Sequence, residues 1–186
     1  MLREIIIWPD TCLKRVSEPV TDFGDALQSL LNDMVETMLA ARGAGLAAVQ
    51  VGFPLRAVTL LVRNEKDGTS EVVKLVNPRI VERKGVQHGR EGCLSLPGYF
   101  EEVKRAQWVK VEAVDEKGAR LEIEGDGYLA RALQHELEHL DGIVFTDHVS
   151  LLKRNLAAAK FKKAKARGMK YVSTRPEPQD FTRPQN

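Results

Sequence analysis

The sequence has few cysteines and no long apolar run. Only Cys12 and Cys93 occur among 186 residues, which excludes a disulfide framework and is typical of a reduced intracellular protein. A single bridge between them is the less favoured alternative. No apolar stretch has the length needed to span a bilayer, and residues 1–4 lack the apolar core of a signal peptide. We therefore expect a cytoplasmic protein with no membrane partner.

Internal repeats and interdomain linkers are also missing from the sequence. Hydrophobic residues make up 43% of the chain and charged residues 29%, proportions typical of a soluble globular protein. A chain of this length can bury a substantial core in one domain. We expect a single domain over residues 1–170 and a flexible tail over 171–186, where Pro176, Pro178 and Pro184 favour disorder.

Charge is distributed unevenly along the chain. The net formal charge is +2, yet residues 151–170 hold eight basic residues and no acidic one, which leaves about −6 for the remainder. The alanine, leucine and lysine of residues 151–167 favour a helix. The basic residues are Lys153, Arg154, Lys160, Lys162, Lys163, Lys165, Arg167 and Lys170.

Apolar periodicity predicts a mixture of helices and strands. Residues 25–41 carry apolar side chains at helical spacing. Asp22 or Asp25 can cap the start of this helix and Gly43 can end it. A short extended piece that ends in a turn is predicted over 4–8, and strands are predicted over 56–62, 71–76, 79–83, 107–114 and 119–124, with turns at 64–68 and 115–118. Because helices and mainly antiparallel strands do not alternate, the pattern indicates an α+β fold.

Residues 134–140 contain the pattern His-Glu-x-x-His on a predicted helix that Gly142 can end. His135 and His139 are four residues apart and would project from one face, where two imidazoles can bind one cation. Glu136 beside them would carry protons. Two histidines at this spacing also arise by chance on exposed helices.

A catalytic metal usually has three protein ligands and one open position. Cys93 is the best third candidate, because it lies in a loop-like stretch between Gly92 and Leu94. A buried structural cysteine is the ordinary alternative. Cys12, His88 and His148 compete as ligands, and both of these histidines can equally be exposed surface residues.

Small residues dominate the stretch from Gly43 to Ala48. Their spacing matches a dinucleotide fingerprint, but that fingerprint must follow a strand, and here a long helix precedes it. Two interpretations remain. The stretch is either a tight loop that a ligand backbone approaches closely, or a helix end followed by a buried strand.

Three blocks together resemble the peptide deformylases of the bacterial type. Residues 43–50 are similar to the family's Gly-x-Gly-x-Ala-Ala-x-Gln block, residues 91–95 to Glu-Gly-Cys-Leu-Ser, and residues 134–140 to Gln-His-Glu-x-Asp-His-Leu. The opening of the family, Pro-Asp-x-x-Leu, is matched at residues 9–13. The resemblance covers about residues 1–168. It implies an α+β fold with mainly antiparallel strands around a central metal-binding helix, followed by a C-terminal helix.

The resemblance also implies an activity and a cofactor. Members of the family remove the N-formyl group from the N-terminal formyl-methionine of nascent polypeptides and release formate. By analogy, Cys93, His135 and His139 would hold one Fe²⁺ per chain, with Zn²⁺ or Ni²⁺ as replacements in recombinant protein. Glu136 would take up and deliver the proton. The side-chain amide of Gln50 and the backbone N–H of Leu94 would stabilise the oxyanion.

Substrate contacts are implied in the same way. Gly45 would pair with the extended formyl peptide, whose first side chain would enter a pocket lined by Tyr128, Arg131 and Ala132. Arg131 is unusual because this wall is often more apolar in the family. It would either lay its stem along the pocket with its charge in water or be an ordinary surface arginine.

Two further positions concern the surroundings of the metal. Glu138 stands where the family usually has aspartate, with a small expected effect on the geometry around the ligands. Glu91 and Arg105 are expected to brace the Cys93 loop as a charged pair.

The remaining expectations concern partners and alternative functions. In the family's bacterial members a C-terminal helix helps docking on the ribosome, so residues 151–170 are either a ribosome-binding surface or a solvated lysine-rich helix. A monomer is expected. The competing functions are a zinc peptidase with the same His-Glu-x-x-His chemistry, and a non-catalytic ribosome-binding relative. The Cys93 block argues against the first, and the presence of Glu136 with all three ligands argues against the second.

Overall fold

The structure is a computed structural model that describes residues 1–63 and 68–166. Most of the turn expected at 64–68, the tail expected at 171–186, and the basic residues Arg167 and Lys170 lie outside the described residues. No helix of the described chain is both long enough and apolar enough to cross a membrane.

The described residues form three α-helices, seven strands and three short 3-10 helices. The α-helices are α1 (Asp25–Ala40), α2 (Gly127–Leu140) and α3 (Leu151–Ala166). The strands are β1 (Gly45–Ala47), β2 (Ala57–Arg63), β3 (Ser70–Lys84), β4 (Gln87–Cys93), β5 (Leu96–Arg105), β6 (Trp108–Val114) and β7 (Arg120–Asp126). The 3-10 helices are Thr11–Lys14, Ala48–Val51 and Phe145–His148.

The strands form two antiparallel sheets. The larger has the order β1-β2-β3-β6-β7, and β4 pairs with β5 in a separate hairpin. Thus β1 is an edge strand of the larger sheet. The α+β prediction, with antiparallel strands and a C-terminal helix, is confirmed.

Three details of the predicted strands were wrong. Residues 71–76 and 79–83 belong to one strand, β3, with irregular pairing between Val76 and Arg79. Residues 87–93 and 96–105, for which no strands were predicted, form β4 and β5. The segment 4–8, predicted as a short extended piece, belongs to neither sheet. Its backbone is held because Ile6 N–H donates to Gln50 O (2.8 Å) and Trp8 N–H donates to Ser95 O (2.9 Å).

Helix α2 lies at the centre of the fold. Leu133, Leu137 and Leu140 on one side of it pack into a buried cluster with residues of the large sheet such as Val111. The glycine after its C-terminus, Gly142, has φ 71° and donates from its N–H to His139 O, as expected for a helix stop. Because this apolar side is covered, the opposite side of α2 is presented to β1 and β4.

The other two helices have separate cores. Helix α1 packs through Leu31, Met34 and Met38 beside β1 and β2. Helix α3 is anchored by Ala157 and Phe161, and the Phe161 ring packs edge-on against Trp8 with centroids 6.3 Å apart. The N-terminal segment and α3 therefore stabilise each other.

Candidate metal centre

Strand β4 and helix α2 lie against each other, and the residues in contact recur at matching intervals along the two elements. Alternate residues of β4 point toward α2, so Glu91 contacts His135 and Cys93 contacts His139. Two residues of strand advance about 6.6 Å and four residues of helix about 6.0 Å, which keeps successive pairs aligned over a few steps. We call this the β4–α2 ladder. It explains why Cys93 and His135, separated by 42 residues in sequence, meet at one point.

Three side chains of the ladder form a group that could hold a metal ion. The donor atoms of Cys93, His135 and His139 lie within 4.8 Å of one another. Cys93 Sγ is 3.3 Å from His139 Nε2, and the two imidazole rings are nearly perpendicular at 83°. Ligand atoms placed tetrahedrally about 2.0–2.3 Å from one ion lie roughly 3.3–3.8 Å apart. The Cys93–His139 separation lies in this range, and the other donor atoms are close enough to converge on one ion.

Electrostatics at the two histidines also fits a cation. Burial lowers the pKa of His135, but Cys93 and Glu91 outweigh burial, and the net pKa lies well above 6.5. A metal ion that replaces that proton would meet the same favourable groups. Burial, followed by the charge on His135, holds the pKa of His139 well below 6.5, which leaves the neutral imidazole that ligates metals.

A network of buried ion pairs contacts His135 at its Nδ1 atom. Glu91 Oε2 is 3.0 Å from His135 Nδ1, and Arg105 reaches both Glu91 oxygens, at 2.8 and 3.0 Å. Burial raises the pKa of Glu91, but His135 and Arg105 outweigh it and lower the value to about 2. Arg105 Nη1 also contacts Glu138 at 2.5 Å, and Glu138 Oε2 lies 2.8 Å from His148. The expected pairing of Glu91 with Arg105 is thus present, and Glu138 extends it.

The competing third ligands lie elsewhere. His148 ends the network just described, and His88 lies 3.6 Å from Glu102 in an exposed pair. Cys12 approaches the carbonyl of Val49 at 4.0 Å. Within residues 1–63 and 68–166, none of the three joins the group of Cys93 and the two α2 histidines.

Glu136 lies beside this group and is buried. Among the described residues, no group hydrogen-bonds to its Oε2, and none to Nδ1 of His139. Burial raises the pKa of Glu136 to about 7, although the His135 charge opposes the shift. A buried carboxylate with a free oxygen beside a cation site is suited to accept and return a proton.

Gln50 approaches the group from the 3-10 helix after β1. Its Oε1 accepts from the Ala47 N–H at 2.8 Å, which orients the amide so that Nε2 faces Cys93 Sγ (3.4 Å) and Ser95 Oγ (3.1 Å). Gln50 therefore presents a neutral donor beside the ligands. Leu94 follows Cys93, and its side chain packs against Gly43.

The sequence of this chain matches the model of the polypeptide deformylase family over residues 2–155. The chain belongs to the polypeptide deformylase family. Among similar proteins, the peptide deformylase of Rhodopseudomonas palustris (strain TIE-1) is 44% identical over 173 residues, covering 92% of this chain and 99% of the relative. That of Acidobacterium capsulatum is 42% identical over 168 residues, covering 90% and 98%.

Solved deformylase structures have the same fold. A peptide deformylase from Legionella pneumophila matches with a TM-score of 0.81 and 43% identity, over 90% of this chain and 99% of that one. A peptide deformylase from Ehrlichia chaffeensis in complex with actinonin matches with a TM-score of 0.84 and 39% identity, over 88% and 98%. The chain is therefore a deformylase, a hydrolase of a metal-dependent family that removes the N-formyl group from nascent peptides.

Within this deformylase, the residues expected to line the substrate pocket lie on or near the same side of α2. Tyr128 is 60% exposed, and the Arg131 guanidinium lies over its ring at 5.5 Å. Arg131 also lies against Gly89 of β4. Ala132 is partly buried and packs toward the core. Gly45, on the edge strand β1, contacts the Glu136 carboxylate.

Sequence reasoning about the deformylase site missed three contacts. These are the ladder itself, the reach of Glu138 to His148, and the position of Arg131 beside Gly89. A signal for the ladder was available, because Gly89, Glu91 and Cys93 occupy alternate positions as in a strand. Because these side chains are small or polar, a search for alternating apolar residues does not detect the strand.

Proposed function

We propose that Cys93, His135 and His139 hold one Fe²⁺ in this deformylase. A thiolate with two imidazoles suits such an ion, and the donor spacing supports it. When bound, the metal would supply Lewis acidity, polarising the formyl carbonyl and making a water molecule more acidic. The network through Glu91 and Arg105 would fix the orientation of His135, since a donated Nδ1–H selects Nε2 as the ligand.

Glu136 would be the group that moves the proton. It would take a proton from the attacking water and deliver it to the amine that leaves with the peptide. Its burial, its free Oε2 and its contact with Gly45 support this role, because Gly45 lies on the strand where the peptide is expected to bind.

Gln50 and Leu94 would stabilise the oxyanion that develops on the formyl group. The amide of Gln50 is already oriented by the backbone N–H of Ala47, and its Nε2 would exchange its contact with Cys93 Sγ or Ser95 Oγ for the oxyanion. The backbone N–H of Leu94, next to the ligand Cys93, would be the second donor.

The peptide itself would bind as an added strand beside Gly45. Strand β1 is at the edge of its sheet, with β2 on its other side, which leaves one edge for an extended peptide. The first side chain would then enter the pocket of Tyr128, Arg131 and Ala132.

The single observation that carries these assignments is the meeting of Cys93, His135 and His139 beside the buried Glu136. The test is formate release from a formyl-Met tripeptide by anaerobically prepared protein loaded in turn with Fe²⁺, Zn²⁺ and Ni²⁺. We expect the Fe²⁺ form to be active and to lose activity in air, and Glu136→Ala to release no formate while retaining its metal. Glu101→Ala, which alters an acid outside the site, is the control. No formate from protein with stoichiometric Fe²⁺ would overturn the proposal.

We further propose that the basic residues of 151–170 contact the ribosome. On α3, Lys153, Arg154 and Lys165 pair with acidic residues of the same chain, at 2.7, 3.0 and 2.5 Å. Lys162 and Lys163, in contrast, have no acidic partner among the described residues, and so remain available for RNA phosphates.

This docking proposal requires charge variants, since removal of α3 would expose the core around Phe161 and Trp8. We expect ribosome affinity to fall with rising salt, and the double variant Lys162→Gln, Lys163→Gln to lower both affinity and salt slope. Changing two lysines of the large sheet, Lys74 and Lys110, to glutamine is the matched control. Affinity independent of salt and of Lys162 and Lys163 would contradict the proposal.

The chain is further proposed to act as a cytoplasmic monomer with one catalytic domain over residues 1–170. Light scattering of the purified protein should give the monomer mass of 20.8 kDa. A chain ending at residue 170 should retain full formate release.

A further inference from the structure

The β4–α2 ladder has a third rung next to the metal ligands. One helical turn before His135, Arg131 meets Gly89, which lies two residues before Glu91 on the same side of β4. A Cβ atom at position 89 would collide with the Arg131 guanidinium. The glycine therefore leaves the space that the guanidinium fills, and the charge is positioned on the side of β4 that also presents Glu91 and Cys93.

The guanidinium has no ionic partner in this position. Among residues 1–63 and 68–166, no carboxylate pairs with Arg131 and no oxygen accepts a hydrogen bond from it; its guanidinium lies beside Gly89 and over the Tyr128 ring. Arg105 of β5, in contrast, pairs with two carboxylates. The half-buried Arg131 guanidinium has five N–H donors with no protein acceptor, so a ligand that displaces water from them is favoured if it brings an acceptor.

We propose that Arg131 determines specificity for the first side chain of the formyl peptide. It favours a side chain of methionine length that ends in a strong hydrogen-bond acceptor, such as the sulfoxide of oxidised methionine, over an apolar chain of the same length. The inference rests on the proposed function, which brings that side chain to Tyr128, Arg131 and Ala132. The thioether of methionine is only a weak acceptor, so formyl-methionine itself remains a substrate without using the guanidinium fully.

The test compares three tripeptides that differ only in the first residue: formyl-methionine, formyl-methionine sulfoxide and formyl-norleucine. We expect the ratio of kcat/KM for sulfoxide to that for norleucine to fall about tenfold or more in Arg131→Leu, since a site that donates to an acceptor rejects analogues lacking it. Arg131→Met also removes the donors and should give the same result. The test therefore requires only one of the two variants to fold.

Arg90→Leu is the matched control. Arg90 is the neighbouring arginine of β4, but it points to the other side of the strand and lies over the Phe100 ring at 4.7 Å. Its substitution should leave the ratio unchanged. An unchanged ratio in both Arg131 variants would overturn the proposal while leaving deformylation intact. No formate from any of the three peptides, in contrast, would overturn the proposed function.

Discussion

Gly45 and Glu136 are in direct contact, and the contact leaves no room for a side chain at position 45. A Cβ atom there would overlap the Glu136 carboxylate and its Cγ. The next two residues of β1, Leu46 and Ala47, are also constrained, because both are fully buried. The glycine therefore has a spatial role at the site, in addition to any pairing with substrate.

Gly45→Ala should lower the rate of deformylation without unfolding the protein. The new methyl group would displace the Glu136 carboxylate, and a shift of about 1 Å in a catalytic group can lower a rate about a hundredfold. The measurement is kcat for formate release, with the thermal midpoint recorded in parallel. A Gly24→Ala variant, at the start of α1 where φ is −73° and the nearest atoms belong to the exposed Asp22 side chain, is the control for introducing alanine. A normal kcat in Gly45→Ala would show that the contact does not position Glu136.

Gln50→Glu should lower kcat by about 10²–10³. The carboxylate can still accept from the Ala47 N–H, but it no longer offers a donor at the position of Nε2, and it adds negative charge beside Cys93. The measurement is kcat for a formyl-Met tripeptide at fixed metal content. Gln87→Glu removes a side-chain amide that donates to Ala106 and Gly127 outside the site. An equal loss of kcat in the two variants would contradict the proposed role of Gln50 as a donor to the oxyanion.

Arg105→Ala should weaken metal retention. Glu91 would lose its bidentate partner, and its hold on His135 would loosen; such changes typically cost about 10–100-fold in metal affinity. Competition with a chelator measures this affinity independently of turnover. Arg56→Ala, which breaks the pair with the exposed Asp141 at the C-terminal end of α2, is the matched control. Full activity and metal content in Arg105→Ala would refute the bracing role.

Asp147→Asn should reduce stability at pH values above the range in which Asp147 titrates. Burial raises the pKa of Asp147, but the hydrogen bonds from Lys14 and from the Val144 N–H outweigh it, and the net value lies below 3.8. A lowered folded-state pKa stabilises the protein above the unfolded value and ceases to do so as the pH falls through the folded value. We expect a loss of about 1 kcal/mol at pH 7 that disappears as the pH falls below 3.8. Urea unfolding of both proteins in metal-free form, followed from pH 7 downward, measures the difference. A difference in stability that does not shrink as the pH falls through and below 3.8 would contradict the linkage.

The predicted helices were confirmed because their signals are local. In α1 the apolar residues recur at helical spacing, and in α2 the two histidines and the leucines occupy opposite sides of the same helix. The resemblance of three short blocks to one family added the expected ligands. The family and the fold class could therefore be predicted from the sequence alone.

The strand errors have physical causes that local patterns do not show. Asn77 and Pro78 are typical of a chain break, yet β3 continues through them with Asn77 at φ 51°. The Asn77 side chain accepts a hydrogen bond from the Val20 N–H and donates one to the Val20 carbonyl. Both backbone groups of Val20, which is distant in sequence, are thereby hydrogen-bonded. Such tertiary contacts compensate for the local irregularity. Strand β4 was missed because its inward side faces the site instead of the apolar core.

The β4–α2 ladder places the donor group of Cys93, His135 and His139 and the guanidinium of Arg131 on separate rungs of the same two elements. The rung with Gly89 and Arg131 lies one step from the rung of Glu91 and two from that of Cys93. A change of side chains at positions 89 and 131 leaves the other two rungs in register. With the proposed role of Arg131, paired substitutions at these two positions would alter substrate preference while the donor group keeps its place.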